Sequence, residues 1–145
     1  MPTLFNLEVH TPYRLFFSGK VELISLTLVD GEIGVYAKHS PFTAITQSCV
    51  LRLKDDQGLL RPAFIADGIL EVKDHNTVLM VDSAEWPEEI DPASVRADKE
   101  KAEEKLKLTS SKAEIDKTKA ALHRAELRLK ALDLAGNAAT GNSTT

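Results

Sequence analysis

The chain has 145 residues and a formal net charge of −4, with 43% hydrophobic and 28% charged residues. These values indicate one compact globular domain, or one with a small appendage, and exclude a chain too polar to fold. No apolar run reaches the roughly 20 residues that cross a bilayer, and the first residues do not resemble a signal peptide, so we expect no direct membrane insertion. The single cysteine, Cys49, excludes an internal disulfide and a multi-cysteine metal site.

Charge is divided unevenly along the chain. Residues 1–90 carry 13 acidic and 7 basic side chains, whereas residues 91–133 carry 9 acidic and 11 basic ones. An acidic front half repels phosphate backbones, and the basic residues behind it alternate with acidic ones instead of forming a stripe. We therefore expect no nucleic-acid partner.

The first part of the chain contains short segments that alternate apolar and polar residues, the two-residue period of a half-buried strand. These segments are 5–9, 24–28, 50–54, 63–65, 69–72 and 77–81. Turn-forming residues separate them at 18–19, 30–31, 56–58, 67–68 and 74–76. Many short antiparallel strands at close spacing predict an N-terminal β-sandwich domain, residues 1–87.

The pattern becomes helical after Pro87, and no glycine occurs between residues 69 and 135. Asp91 supplies an N-cap oxygen and Pro92 a first-turn residue with a preset φ, so a helix of about 18 residues is predicted from there to Leu108. The change from a two-residue to a helical period marks a domain boundary.

A second helix of about 22 residues is predicted after the break at residues 109–111, because Ser111 and Glu114 have the spacing of a capping box. The two helices form a C-terminal antiparallel hairpin, residues 88–135, with a narrow apolar seam. Residues 136–145 have nothing to bury, which predicts a disordered tail.

Sequence patterns for catalysis or metal binding are missing. The four histidines are isolated, and neither a nucleophile elbow nor a phosphate-binding loop occurs. Asp55 and Asp56 are most simply residues of a solvated turn, and Cys49 is most simply a buried strand residue. We expect no catalytic residue, no metal site and no enzyme activity of the chain's own.

Several segments, taken in order, resemble the epsilon subunit of bacterial F-type ATP synthases over nearly the whole chain. They are FSGKV at 17–21, DGEIGV at 30–35, HSP at 39–41, GILEV at 68–72, VDSA at 81–84 and EID at 89–91. Each is weak alone, but the ordered set identifies the chain as a member of this family. It departs from the family pattern at Ala37-Lys38, where Pro-Gly is usual, and at Ala66-Asp67, where a Ser-Gly-type turn is usual.

The resemblance implies a non-catalytic rotor subunit of the central stalk that couples the c-ring and the gamma subunit during proton-driven ATP synthesis. It implies a peripheral position at the cytoplasmic face of the bacterial membrane. The implied contacts are Asp30, Gly31 and Glu32 with the polar loops of the c-ring, and His39, Ser40 and Pro41 with gamma.

The resemblance also implies that the helical hairpin is a mobile arm that impedes ATP hydrolysis when it extends into the catalytic alpha/beta hexamer. Basic residues of the second helix are then candidate contacts to acidic loops of the catalytic subunits: Lys117, Lys119, Arg124, Arg128 and Lys130. The alternative is a solvated helix face stabilised by local ion pairs.

Some family members bind ATP between the two helices through an Ile/Leu-Asp-x-x-Arg-Ala motif and a further arginine seven residues after the first. The candidates here are Ile115, Asp116, Lys119, Ala120 and Arg124, with lysine at the first arginine position. Lysine lacks the planar fork that holds phosphate oxygens, and a spacing of five residues turns Arg124 away from Lys119. These departures argue against a nucleotide cofactor.

Two other functions compete with the rotor interpretation. A freestanding adaptor would use the sandwich to display the hairpin to an unrelated partner, and its partners in a pull-down would reveal it. A small hydrolase would need a cluster of catalytic residues, for which the sequence gives no sign.

Overall fold

The computed structural model describes residues 3–139, with side chains as far as Gly136. The chain divides into two compact units, with the division between Trp86 and Pro87.

The first unit is built of strands. Its nine described strands are β1 (Phe5–His10), β2 (Leu15–Leu28), β3 (Gly31–Tyr36), β4 (Phe42–Thr46), β5 (Cys49–Asp55), β6 (Leu60–Ile65), β7 (Gly68–Lys73), β8 (Asn76–Val81) and β9 (Ala84–Glu85). β8 lies between β1 and β7, and β4 borders β7. β5 lies between β2 and β6, β9 pairs with β6, and β3 pairs with β2. The predicted β-sandwich is confirmed.

The long strand β2 belongs to both layers of the sandwich. Its first part pairs with β1, from Leu15 to Val21, and its second part pairs with β3 and β5. The described strands pair antiparallel, as predicted, except β1 and β8, which run parallel from Asn6 opposite Asn76.

The core follows the strand period. Fully buried side chains include Leu7, Ile24, Leu53, Leu70 and Leu79, each from a different strand. Each contributes about 1.5–3 kcal/mol relative to an exposed position, so the sandwich is stabilised mainly by its interior.

The predicted turn at residues 18–19 is wrong, because β2 continues through it. Gly19 lies opposite Leu7 of β1, and a Cβ atom on Gly19 would approach Cζ of Phe17 to 3.3 Å. Glycine at this position allows the Phe17 ring to lie close to the strand; it does not mark a change of chain direction.

The second unit contains a short 3₁₀ turn (Pro87–Glu89) and two helices, α1 (Pro92–Leu108) and α2 (Lys112–Ala139). The Asp91 side chain accepts a hydrogen bond from the Ala93 amide at 3.2 Å, which caps α1 as predicted. The Ser111 hydroxyl accepts from the Glu114 amide at 3.5 Å at the start of α2.

The helix α2 has 28 residues and continues past residue 135, where we expected it to end. Gly136 does not stop it, because a helical glycine costs only about 1 kcal/mol and its neighbours include good helix formers. The rest of the predicted disordered tail, residues 140–145, lies outside the described residues.

The two helices pack against each other mainly through small side chains. Ala102 of α1 and Thr118 and Ala125 of α2 are buried, whereas Leu122 and Leu129 of α2 are only half-buried. An interface of small residues buries little apolar area, so it contributes modestly to stability.

Candidate functional site

The acidic turn, Asp30, Gly31 and Glu32, connects β2 to β3, and all three residues are exposed. Gly31 has a φ of +134°, and a Cβ atom there would meet nothing within 4 Å. The backbone conformation, not lack of space, therefore calls for glycine. The result is a tight turn that presents two carboxylates to solvent.

The loop with His39, Ser40 and Pro41 connects β3 to β4. It lies at the other end of β3 from the acidic turn, about 17 Å away for six extended residues. The His39 amide donates to the Tyr36 carbonyl at 3.3 Å, and the His39 ring lies 5.1 Å from the Phe42 ring. The two groups of predicted contact residues therefore lie at opposite ends of β3.

Lys38 precedes this loop and adopts a left-handed conformation, with φ of +66°. It occupies the position at which the family pattern has glycine. A side chain in this region costs about 1–2 kcal/mol of backbone strain relative to the right-handed form. The left-handed backbone at Lys38 therefore carries an energetic cost.

A row of exposed side chains crosses the outer face of five strands. Cross-strand pairing joins Ile45 to Ile69, Ile69 to Met80, Met80 to His10 and His10 to Leu15. The four apolar members are 64%, 44%, 47% and 53% exposed, for Ile45, Ile69, Met80 and Leu15. We call these five residues the apolar band.

Sequence reasoning missed the apolar band. The available signal was that β4, β7 and β8 carry apolar residues on both faces, as at Ile69 and Leu70, of which only Leu70 is buried. A strand with one solvated face normally alternates apolar and polar residues. An exposed apolar patch of this kind is typical of a surface that contacts another molecule.

The apolar band adjoins the acidic turn. The Val29 amide, one residue before Asp30, donates to the Ile45 carbonyl at 3.1 Å. An exposed apolar surface and an exposed acidic turn therefore lie side by side at one end of the sandwich. His10 interrupts the band with a polar group, its Nε2 lying 2.7 Å from Oε1 of Glu8.

A basic groove runs between α1 and α2. Its cationic lining comes from both helices: Lys101, Lys105, Lys117, Arg124 and Arg128. Ala102, Thr118 and Ala125 also line it, together with the carboxylate of Asp98. Three of the five predicted basic contacts thus come together, and the α1 lysines add to them.

The predicted nucleotide residues do not come together in this groove. Of that set only Arg124 lines it, whereas Asp116, Lys119 and Ala120 are exposed elsewhere on α2. Lys130 is also exposed outside the groove. Lys117 lies seven residues before Arg124 on the same side of the helix, the spacing that Lys119 lacks.

An ion pair closes the turn between the helices. Nζ of Lys105 lies 3.1 Å from Oε2 of Glu114. The hydrogen bond from Lys105 and its positive charge lower the pKa of Glu114 below the usual 4.5. Both side chains are largely exposed, so salt screens this contact.

The described part of the chain offers neither a metal cluster nor a membrane-spanning helix. No group of three or more His, Cys, Asp or Glu side chains that could hold a metal ion occurs in it. Among the described helices, none is both long and apolar enough to cross a membrane.

Two family profiles match the two units in order. The profile for the ATP synthase delta/epsilon chain, beta-sandwich domain, matches residues 4–87. The profile for the long alpha-helix domain of the same chain matches residues 88–133. The chain belongs to the ATP synthase delta/epsilon chain family. The resemblance inferred from the sequence is thereby confirmed.

Relatives in this family align with nearly the whole chain. The ATP synthase epsilon chain of Caldanaerobacter subterraneus subsp. tengcongensis is 47% identical over 131 residues, 90% of this chain and 94% of the relative. That of Caldicellulosiruptor saccharolyticus is 44% identical over 129 residues, 89% of this chain and 93% of the relative.

Two solved assemblies contain chains of the same fold. One is in the Euglena gracilis mitochondrial ATP synthase, with a TM-score of 0.80 and 22% identity over 91% of this chain and 83% of that chain. The other is in the central stalk and c-ring of the Tetrahymena thermophila mitochondrial ATP synthase, with a TM-score of 0.58 and 18% identity over 90% and 98%. At these identities the likeness concerns the fold alone.

Proposed function

We propose that this chain is a rotor subunit of the central stalk of an F-type ATP synthase, peripheral at the cytoplasmic face of the membrane and non-catalytic by itself. Its sandwich would couple the c-ring to gamma, and its hairpin would restrain ATP hydrolysis. The observation that carries the proposal is the pair of unlike surfaces at one end of the sandwich, the acidic turn and the apolar band. A coupling needs two separate attachments on one rigid body.

The acidic turn suits the c-ring. Asp30 and Glu32 are exposed on a tight hairpin turn that closes the antiparallel pair of β2 and β3. Carboxylates on such a turn complement polar or basic loops of a partner and fix the register of contact. They are poorly suited to an apolar partner surface, since burying an unpaired charge is costly.

The apolar band suits gamma. Permanent interfaces are more apolar than transient ones, and gamma would rotate with this subunit as a fixed neighbour. Ile45 of the band lies on β4, the strand that the loop with His39, Ser40 and Pro41 leads into. We therefore place gamma along β4, from this loop to the apolar band.

The helical hairpin suits a restraining arm. The buried contact between its helices is made of small side chains, so opening it exposes little apolar surface. An extended α2 of 28 residues would reach about 42 Å. Opening would release Lys117, Arg124 and Arg128 from the basic groove, and with Lys119 and Lys130 they would contact acidic loops of the catalytic subunits.

Against the expectation from the sequence, the closed basic groove is a second candidate for a phosphate-bearing ligand such as ATP, because five cationic side chains line it beside one carboxylate, Asp98. Calorimetry with ATP at millimolar concentration tests this, with Arg124→Ala against Lys119→Ala as the matched pair. Binding that is lost only in Arg124→Ala supports the groove. No heat in the parent protein, or equal loss in both variants, contradicts it.

The gamma contact can be tested with two lysine substitutions. Ile69→Lys changes the middle of the apolar band, and Leu60→Lys changes a residue on β6 that is 60% exposed and outside the band. We expect the first to weaken binding to purified gamma at least about 10-fold, since an apolar contact of about 1.5 kcal/mol is lost and a charge is buried. Equal behaviour of the two variants would place gamma elsewhere.

The other two attachments have separate tests. Glu32→Lys should impair assembly with the c-ring while gamma binding persists, and unimpaired assembly would refute that contact.

Deleting residues 88–145 should raise ATP hydrolysis by the assembled enzyme without loss of assembly; an unchanged rate would remove the restraining role. A freestanding adaptor is disfavoured because both units match ATP synthase domains.

A further inference from the structure

The sandwich unit ends in a stack of aromatic and guanidinium groups. The rings of Phe16 and Trp86 are stacked with centroids 4.3 Å apart, and the Phe17 ring meets Trp86 edge-on at 6.2 Å. The Arg61 guanidinium lies 4.2 Å from the centre of the Trp86 ring. We call Phe16, Phe17, Arg61 and Trp86 the Trp86 clasp.

The backbone alone holds this end of the sandwich weakly. The strand β9 has two residues and pairs with β6 at two positions. The Ala66 amide donates to the Ser83 carbonyl at 2.9 Å just before β9. On the other side, the Arg14 guanidinium donates to the Ala84 carbonyl at 3.2 Å.

The Trp86 clasp adds side-chain contacts where the ladder is shortest. Tryptophan is the strongest aromatic partner for a guanidinium, and the contact strengthens when water is partly excluded. Phe16 is buried and Trp86 is half-buried, so the stack is shielded from solvent. Phe16, Phe17 and Arg61 come from β2 and β6, so the clasp ties Trp86 to two paired regions of the sandwich.

The backbone changes character immediately after Trp86. Residues 87–89 form a single 3₁₀ turn, in which the Ile90 amide donates to the Pro87 carbonyl at 3.1 Å. Asp91 then has an extended backbone, with φ of −87° and ψ of 109°. One short turn and one extended residue can change direction without breaking a strand or a helix.

We propose that the Trp86 clasp is a mechanical stop that keeps movement of the helical hairpin, which begins at Pro87, from reaching β9. The clasp holds Trp86 as the last fixed residue of the sandwich. The pairing of β9 with β6 therefore stays intact when the hairpin moves. This inference rests on the proposed mobility of the arm. Its test uses the isolated full chain and is independent of ATP hydrolysis.

The first measurement is amide hydrogen exchange in the parent protein. The Ala66 amide reports detachment of the chain before β9, and the Ile90 amide reports opening of the 3₁₀ turn. A stop at Trp86 requires the Ile90 amide to exchange at least about 10-fold faster than the Ala66 amide, because only the segment after the clasp opens readily. Equal rates would overturn the proposal.

The second measurement compares Arg61→Ala with Arg52→Ala, a control that removes an exposed arginine from the neighbouring strand β5. Arg61→Ala should speed exchange of the Ala66 amide about 5- to 30-fold, and Arg52→Ala should leave it unchanged. Trp86 is the only tryptophan, so acrylamide quenching of its fluorescence should rise only in the first variant.

Arg61→Lys keeps a cation near the ring and should recover part of the protection, which separates the guanidinium contact from general packing. Unchanged exchange and quenching in Arg61→Ala would overturn the clasp. If deletion of residues 88–145 fails to raise ATP hydrolysis while both exchange results hold, the restraining role fails but the stop at Trp86 stands.

Discussion

Replacing Gly68 by alanine should destabilise the sandwich severely. A Cβ atom at this position would overlap the Met80 carbonyl oxygen and would lie 2.8 Å from both Cα and Cγ1 of Val81. Two of these are backbone atoms of β8, so no side-chain rotation relieves the overlap. The pairing of β7 with β8, where Gly68 lies opposite Val81, would have to open.

The expected cost follows from the kind of overlap. Overpacking typically costs 1–3 kcal/mol, and contact with backbone places this case at the upper end, about 3 kcal/mol. For a unit of this size each kcal/mol shifts Tm by about 4–8 °C, so we expect a fall of about 12–24 °C. Thermal denaturation followed by circular dichroism and by Trp86 fluorescence measures it.

Gly34→Ala is the matched control for this experiment. Gly34 is also a strand glycine of the sandwich, but its Cβ atom would meet Cδ1 of Leu23 at an ordinary 3.7 Å. Its stability should stay within about 0.5 kcal/mol of the parent protein. If Gly68→Ala melted within about 3 °C of that control, the close approach of β7 and β8 would be wrong.

Three further substitutions test local features. Lys38→Gly should stabilise the sandwich by about 1 kcal/mol in thermal denaturation, because glycine adopts the left-handed backbone at this position without the strain that lysine has there. A loss of stability would contradict the strain. Asp91→Ala should cost about 1 kcal/mol by removing the cap on the Ala93 amide, and an unchanged hairpin would contradict that bond. Because the Glu114 pKa is lowered from 4.5, its contribution to hairpin stability is present above that value and is lost as pH falls through the lower folded pKa. Glu114→Gln should remove this dependence in melts recorded between about pH 6 and pH 3, and Lys105→Gln should do the same; a variant that kept the full pH dependence would refute the pair.

Local features of the fold could be predicted from the sequence because they depend on neighbouring residues. The Asp91 cap, the Ser111 cap and the alternation of the strands are all of this kind. The length of β2 could not be predicted in this way, since Ser18-Gly19 has the composition of a turn. Only the nearby Phe17 ring explains the glycine there.

The candidate surfaces also differ in how far they could be predicted from the sequence. The acidic turn is contiguous in sequence, so its exposure followed from composition alone. The apolar band depends on the register of five strands, and its members lie as far apart in sequence as His10 and Met80. The basic groove depends on the packing of α1 against α2, which brought Lys101 and Lys105 to the α2 cations.

The parallel pairing of β1 with β8 has a consequence for biosynthesis. Asn6 lies opposite Asn76, so β1 leaves the ribosome about seventy residues before the strand that covers this edge. Non-local parallel pairs form slowly, and an open strand edge can join another chain in the meantime. Nascent β1 would then depend on its other neighbour, β2, which is synthesised directly after it, to occupy one edge during translation.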